Sequence, residues 1–196
     1  MTHRIVSSVV SCVALALVAA CASPPPPKFY TLSRTSTPGA PPSTLSVMVG
    51  PVSIPAIVDQ PQIVVSTSPN QVTIDEFNRW ASPLAGNISR VVAENLADLL
   101  ATPRVSLFQQ SLNADADYRV AIEVQTFESA PGEAATMSAA WVVRRTRDGK
   151  TETGRTAVRE ATADKSYDTL AAAHSRALSQ LSQDIAGAIR TLSRAP

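Results

Sequence analysis

The sequence contains little cysteine, histidine and glycine, and each scarcity excludes a class of site. Its 196 residues include 2 cysteines, 2 histidines and 7 glycines. Cys12 lies inside an apolar N-terminal run and Cys21 directly follows that run, so a disulfide framework is excluded once the run is removed. No P-loop and no GxGxxG motif occurs, which excludes the common phosphate cradles. After residue 20 the sequence has one histidine, His174.

An excess of either charge is also missing. The chain has 17 Lys+Arg and 16 Asp+Glu. Of these residues only Arg4 falls within residues 1–20, so the balance after residue 20 is 16 − 16 = 0. We therefore expect no electrostatic attraction to nucleic acid or to anionic lipid.

What the N-terminus does have is the layout of a secretory signal. Arg4 provides a weak positive start, residues 5–20 are almost wholly apolar, and the run is too short for a comfortable transmembrane helix. Val18-Ala19-Ala20-Cys21 then resembles a bacterial lipobox. The resemblance implies a signal peptide of residues 1–20 and acylation of Cys21, which would firmly anchor the mature chain. The alternative is an ordinary signal peptide with a chance cysteine.

A proline-rich tether follows the cysteine, and we assign residues 21–43 to it together with a short N-terminal strand at 29–32. Pro24 to Pro27 favour polyproline II, which rises ~3.1 Å per residue, so residues 21–29 could hold a domain roughly 25 Å from the lipid. The tether is then a rigid spacer, or simply a solvated linker. Residues 35–43 are a second stretch rich in helix and strand breakers.

Residues 44–196 read as one globular domain. Period-two alternation and turn signals predict strands at 45–52, 105–108 and 118–125, a hairpin around 68–70, and another around Asp148-Gly149. Apolar stripes predict amphipathic helices at 83–101, with Ser82 as the N-cap, and at 170–192. The fold class is therefore α+β, with a largely antiparallel sheet and both helices packed on one face.

The sequence shows no set of residues with the spacing that a catalytic or metal site requires. His174 falls within the apolar stripe of the last helix, which predicts a core or boundary histidine, and the sequence pairs no nucleophile with a base. The acidic pairs at 115/117 and 123/128 lack the spacing of a metal cluster. We predict that Trp80 and Trp141 pack in the core, and stacking on a ligand is the less favoured alternative. A basic cluster at 144–150 surrounds the hairpin tip and reads as a solvated turn.

Four segments carry a family resemblance: "KFYTLS", "VGPVSIPAIVDQPQIVV", "NRWASPLAGNISRVVAENLADLL" and "DYRVAIEVQTFE". In this order they resemble the auxiliary lipoproteins of ABC-type intermembrane transport systems, the PqiC-like (YmbA-like) family. The likeness is clear from about residue 29 to residue 128 and looser through the last helix. Its most specific part is the proline-punctuated segment followed by "RWASPL".

The resemblance implies a non-enzymatic lipoprotein on the periplasmic face of the outer membrane, with no cofactor beyond the lipid on Cys21. It implies a docking subunit for an inner-membrane MCE-domain protein that moves lipid or maintains envelope integrity. Ala22, rather than Asp, fits sorting to the outer membrane. As partner-binding residues we expect Ile54, Pro55, Ile57 and Trp80.

Other readings stay open beside this one. The lipoprotein could instead be an envelope scaffold that binds peptidoglycan or another envelope protein, or a cryptic hydrolase. A homo-oligomer is compatible with the alanine-rich last helix, although the same alanines could simply pack on the sheet.

Overall fold

The computed structural model describes residues 24–37, 41–108 and 115–196. The predicted signal peptide and Cys21 lie outside these described residues. Within them the chain forms a mixed sequence of strands and helices: β1 Lys28–Tyr30, β2 Val47–Ser53, a 3-10 turn Ala56–Val58, β3 Gln62–Ser68, β4 Gln71–Trp80, α1 Leu84–Leu99, β5 Val105–Leu107, β6 Tyr118–Ala130, β7 Ala134–Arg145, β8 Thr151–Ala161 and α2 Tyr167–Arg194.

The strands form two sheets. The larger has the order β5-β2-β6-β7-β8, and the smaller has the order β1-β4-β3. Strand β2 runs parallel to both β5 and β6, whereas β6, β7 and β8 form an antiparallel meander. In the small sheet β1 runs parallel to β4, and β3 and β4 form an antiparallel hairpin.

Both helices cover the same face of the large sheet. Helix α1 packs on β2 and β5, helix α2 packs on β7 and β8, and the two helices contact each other. Side chains alternate between the two faces of the sheet along β6. Tyr118, Val120, Ile122 and Val124 are therefore buried, while their neighbours are more exposed. Helix α2 begins at a side-chain cap, where Ser166 Oγ accepts a hydrogen bond from Thr169 N at 3.3 Å.

The α+β class is confirmed, and so are the two amphipathic helices and a mostly antiparallel strand arrangement. The Asp148-Gly149 hairpin is also present, because Arg144 pairs with Thr151 across it. Some details differ from expectation. The strands divide into two sheets instead of one, and helix α1 begins one residue later, with Pro83 rather than Ser82 at the N-cap. Pro83 carries no side-chain cap.

The basic cluster is not wholly a solvated turn. The side chain of Arg145 is only 2% exposed, while Arg144 and Arg147 are exposed. Arg145 Nη1 donates to the backbone oxygens of Leu192 and, at 2.8 Å, of Ala195. These carbonyls belong to the end of α2 and have no acceptor role inside the helix, so the guanidinium satisfies them.

Candidate functional site

Trp80, one of the residues expected to bind a partner, lies in the core at 6% exposure. Its indole packs edge-on against Phe127 and His174, with centroid distances of 6.2 and 6.5 Å. The imidazole of His174 stacks on Phe127 at 3.8 Å, with an interplanar angle of 6°. Together these three rings join the end of β4, strand β6 and helix α2. Trp80 is therefore a packed core residue beneath the surface and not an exposed contact residue.

The other three expected residues lie on the segment between β2 and β3. Ile54 and Pro55 are half-buried, and Ile54 packs against the core. Ile57 lies in the 3-10 turn and is 53% exposed, although its neighbour Val58 is buried. Gln60 Nε2 donates to Ile57 O at 2.9 Å, which braces the turn. The structure thus presents one of the four expected residues, Ile57, as a large exposed apolar side chain.

Ile57 borders an open cleft of about 530 Å³ between the two sheets. One wall is the 3-10 turn and the β3–β4 hairpin, and the floor is the far end of β6 and β7. We call this space the inter-sheet cleft. Its larger apolar lining residues are Ile57, Val58, Val64, Val72 and Phe127.

The β3–β4 hairpin wall also carries polar residues, and the opposite side of the inter-sheet cleft carries the charged residues Glu128, Glu133 and Arg159. Glu128, Thr136 and Arg159 stand in one cross-strand row over β6, β7 and β8. Because strands are ~4.8 Å apart, Glu128 and Arg159 are separated by roughly 10 Å with the small Thr136 between them. In the described chain neither forms an ion pair within 4.0 Å. A cleft with apolar residues on one wall, polar hairpin residues and charges of both signs suits an amphipathic segment of another protein.

A serine and a histidine do meet beneath the cleft. Ser129 Oγ lies 2.9 Å from His174 Nε2, and both side chains are buried. Burial lowers the pKa of His174 to about 3, which makes the imidazole a weak base at neutral pH. Its other nitrogen, Nδ1, has no partner among the described residues, whereas a catalytic imidazole needs an orienting group there. This pairing was not found from sequence, since the two residues are 45 positions apart.

Two statements hold for residues 24–37, 41–108 and 115–196 of the chain. No helix there is both long and apolar enough to cross a membrane. No group of three or more His, Cys, Asp or Glu side chains there is placed to hold a metal ion.

Known proteins resemble the chain in both sequence and fold. Residues 30–186 match the family model of the ABC-type transport auxiliary lipoprotein component. No curated protein matches the sequence.

Among solved structures, the fold is similar to the crystal structure of an uncharacterised protein, with TM-score 0.69 and 22% identity over 84% of this chain and 99% of that one. It is similar to a Xanthomonas campestris protein of family DUF330, with TM-score 0.69 and 22% identity over 86% of this chain and 100% of that one. A PelC dodecamer from Paraburkholderia phytofirmans gives TM-score 0.44 and 12% identity over 80% of this chain and 95% of that one.

Proposed function

The chain belongs to the family of ABC-type transport auxiliary lipoproteins, and from this premise we propose that it is the docking subunit of an MCE-type intermembrane lipid transport system. In this proposal the acylated Cys21 anchors it to the periplasmic face of the outer membrane. The globular domain then receives an MCE-domain protein that reaches across from the inner membrane. The observation that carries the proposal is the family match, which spans nearly the whole described domain.

The anchor is supported by the lipobox and by membership of a lipoprotein family. Several acyl chains on Cys21 would make the attachment firm, because each buried methylene contributes ~0.8 kcal/mol. A short tether to a membrane raises the effective concentration of the domain for a partner that approaches the same membrane, without any new contact.

The inter-sheet cleft is the surface we assign to docking. Ile57 and Val72 are exposed apolar residues at its wall, and Glu128, Glu133 and Arg159 give the other side charges of both signs. An apolar anchor with a polar rim is the usual anatomy of a protein interface. The role we assign to this surface is binding without catalysis, which the weak basicity of the buried His174 supports.

Crosslinking in intact cells tests the proposal. A photo-crosslinking amino acid replaces Ile57, and a matched variant carries it at Gln180, an exposed position on α2. We expect the Ile57 variant to capture an MCE-domain protein and the Gln180 variant to capture much less. Equal capture at both positions would remove the cleft from the proposal. Recovery of ABC-transporter subunits with the MCE protein would support the transport system as a whole.

The scaffold reading predicts a different result from the same cells. Peptidoglycan, or an envelope protein without an MCE domain, would be recovered instead, and the docking proposal would then fail. Outer-membrane sorting has its own test. Separation of the two membranes should find the chain in the outer one, and Ala22→Asp should retain it in the inner one.

A further inference from the structure

Two phenylalanines are exposed at the point where the tether joins the domain. Phe29 lies in β1 with 61% of its surface exposed, and Phe77 lies in the neighbouring β4 with 41% exposed. Isolated exposed apolar residues are common on proteins, whereas two exposed aromatic rings on paired strands point to a local apolar patch.

The register of β1 and β4 explains why Phe29 faces outward. Phe29 pairs with Arg79, and the next pair, Tyr30 with Trp80, turns inward. Tyr30 is fixed there because its hydroxyl donates to Asn78 Oδ1 at 2.8 Å. Since side chains alternate along β1, Phe29 and its partner Arg79 share the opposite face, and the exposed Phe77 lies two residues before Arg79 on β4. We call these three residues the Phe29–Phe77 face.

Phe77 is held in this position by the backbone around it. Strand β4 has extra residues here, because Ile63 of β3 pairs with Asp75 while the adjacent Gln62 pairs with Arg79. Asp75 Oδ1 accepts hydrogen bonds from the backbone nitrogens of Phe77 and Asn78, each at 2.9 Å. Its other oxygen accepts a hydrogen bond from the Tyr167 hydroxyl at 2.6 Å, which ties the bulge to the start of α2. The exposed ring therefore belongs to a braced part of the fold.

The chain itself brings this face close to a bilayer. Lys28 is seven residues after Cys21, so an extended tether spans at most ~25 Å. Strand β1 is thus the element of the domain nearest along the chain to the acyl group. The inference rests on the proposed function in this one respect, that Cys21 carries the anchor.

We propose that the Phe29–Phe77 face is a membrane-contact surface, with both rings in the interfacial layer of the leaflet that holds the acyl chains of Cys21. Arg79 pairs with Glu76 at 3.6 Å, and among the described residues Lys28 forms no ion pair within 4.0 Å. The contact is therefore driven by the aromatic rings, and added salt should change it little. The tether then lies along the bilayer surface and does not act as a rigid spacer.

The full lipidated chain in vesicles tests this contact. The vesicles are phosphatidylethanolamine with a minor fraction of phosphatidylglycerol, and some lipids carry a quencher on the acyl chain. With Cys12 removed and Cys21 acylated, an introduced cysteine is the one free thiol for a polarity-sensitive fluorophore. The labelled variants are Phe29→Cys and Phe77→Cys. The matched control is Phe108→Cys, an equally exposed phenylalanine beside the other sheet.

We expect quenching by the lipids to be several-fold stronger at positions 29 and 77 than at 108, at both low and high salt. Quenching that disappears at high salt would overturn the proposed aromatic contact, and equal weak quenching at all three positions would overturn any contact. A second measurement places no label on the face. Energy transfer from a dye on Gln180→Cys to the bilayer surface should weaken when Phe29 and Phe77 are both replaced by serine. An unchanged transfer would also contradict the proposal.

The mass of the mature N-terminus separates the two failures. An unmodified Cys21 would end the proposed anchoring and this inference together. An acylated Cys21 with water-exposed labels at 29 and 77 would end the inference alone and would favour the spacer reading of the tether.

Discussion

Gly154 of β8 lies against the indole ring of Trp141 on the neighbouring strand, and a β-carbon built on the glycine would stand 2.6 Å from the ring atom Cη2. The two residues pair directly across β7 and β8. The indole is buried, and its Nε1 donates to Thr156 Oγ1 at 3.1 Å. The ring therefore cannot move away from position 154 without losing this hydrogen bond.

We expect Gly154→Ala to destabilise the domain by about 1–3 kcal/mol, because the added methyl group overpacks a buried ring. The matched control is Gly187→Ala in α2, where nothing lies within 4 Å of the added carbon. There the higher helix propensity of alanine should stabilise by about 0.5–1 kcal/mol. Urea unfolding of both variants measures the two effects. Equal effects of the same sign would contradict the assigned packing of Trp141.

Local patterns in the sequence predicted the elements, because the relevant interactions lie within a few residues. The apolar stripe predicted a helix at 83–101, and the structure has Leu84–Leu99. The Asp148-Gly149 pair predicted the β7–β8 hairpin for the same local reason.

Features built from distant segments were not predictable in this way. The parallel pairing of β2 with β5 and β6 depends on long-range partners, which strand alternation does not record. Arg145 was expected to be solvated at its hairpin tip, yet its acceptors are carbonyls about 50 residues later. The inter-sheet cleft is likewise formed by residues far apart in sequence, such as Ile57, Phe127 and Arg159. The sequence could therefore indicate the segment of Ile57 as one wall, but not the cleft itself.

His174 should make stability depend on pH between about 4 and 6.5. Burial lowers its pKa to about 3 in the native state, against about 6.5 in the unfolded chain. The unfolded state therefore takes up a proton first as the pH falls, and stability is lost at up to about 1.4 kcal/mol per pH unit below 6.5. The depressed carboxyl groups, such as Asp148 with a pKa of about 2, contribute only below about pH 5, so His174 dominates between about pH 5 and 6.5.

The test compares urea unfolding of the wild type and of His174→Phe across this pH range. Phenylalanine keeps an aromatic ring on Phe127 but cannot titrate. We expect the slope of stability against pH to flatten in the variant, whatever its stability at pH 7. An unchanged slope would mean that His174 is not the titrating group, since the predicted mature chain has no other histidine.

Arg145→Lys should lower the melting temperature by roughly 5 °C or more. The guanidinium joins Asp148 in the β7–β8 turn to the carbonyls at the end of α2, and its fork reaches both at once. A lysine has a single ammonium group and cannot reproduce this geometry. Arg144→Lys, on the exposed neighbour, is the control and should change the melting temperature little. Calorimetry of the two variants checks the difference, and similar losses would contradict a bridging role for Arg145.

Substitutions at Ile57 and Trp80 should distinguish an effect on docking from an effect on folding, because Ile57 is exposed and Trp80 is buried. Ile57→Asp places a charge on an exposed wall of the cleft, so stability should change by only about 0.5 kcal/mol. If the cleft binds a partner, the same change should sharply reduce recovery of the MCE-domain protein, since a charge would have to be desolvated in the interface. Trp80→Ala instead removes a core ring and should cost about 3–5 kcal/mol.

A loss of the complex with Trp80→Ala alone would therefore report the stability of the domain and not its contact surface. The informative result is the pair of measurements on Ile57→Asp: urea unfolding and co-purification from the same preparation. Wild-type stability with a lost complex would assign the cleft to docking. Wild-type stability with an intact complex would move the docking surface elsewhere and leave Ile57 as an ordinary exposed residue, while the role of Trp80 beneath the cleft would remain that of a core ring.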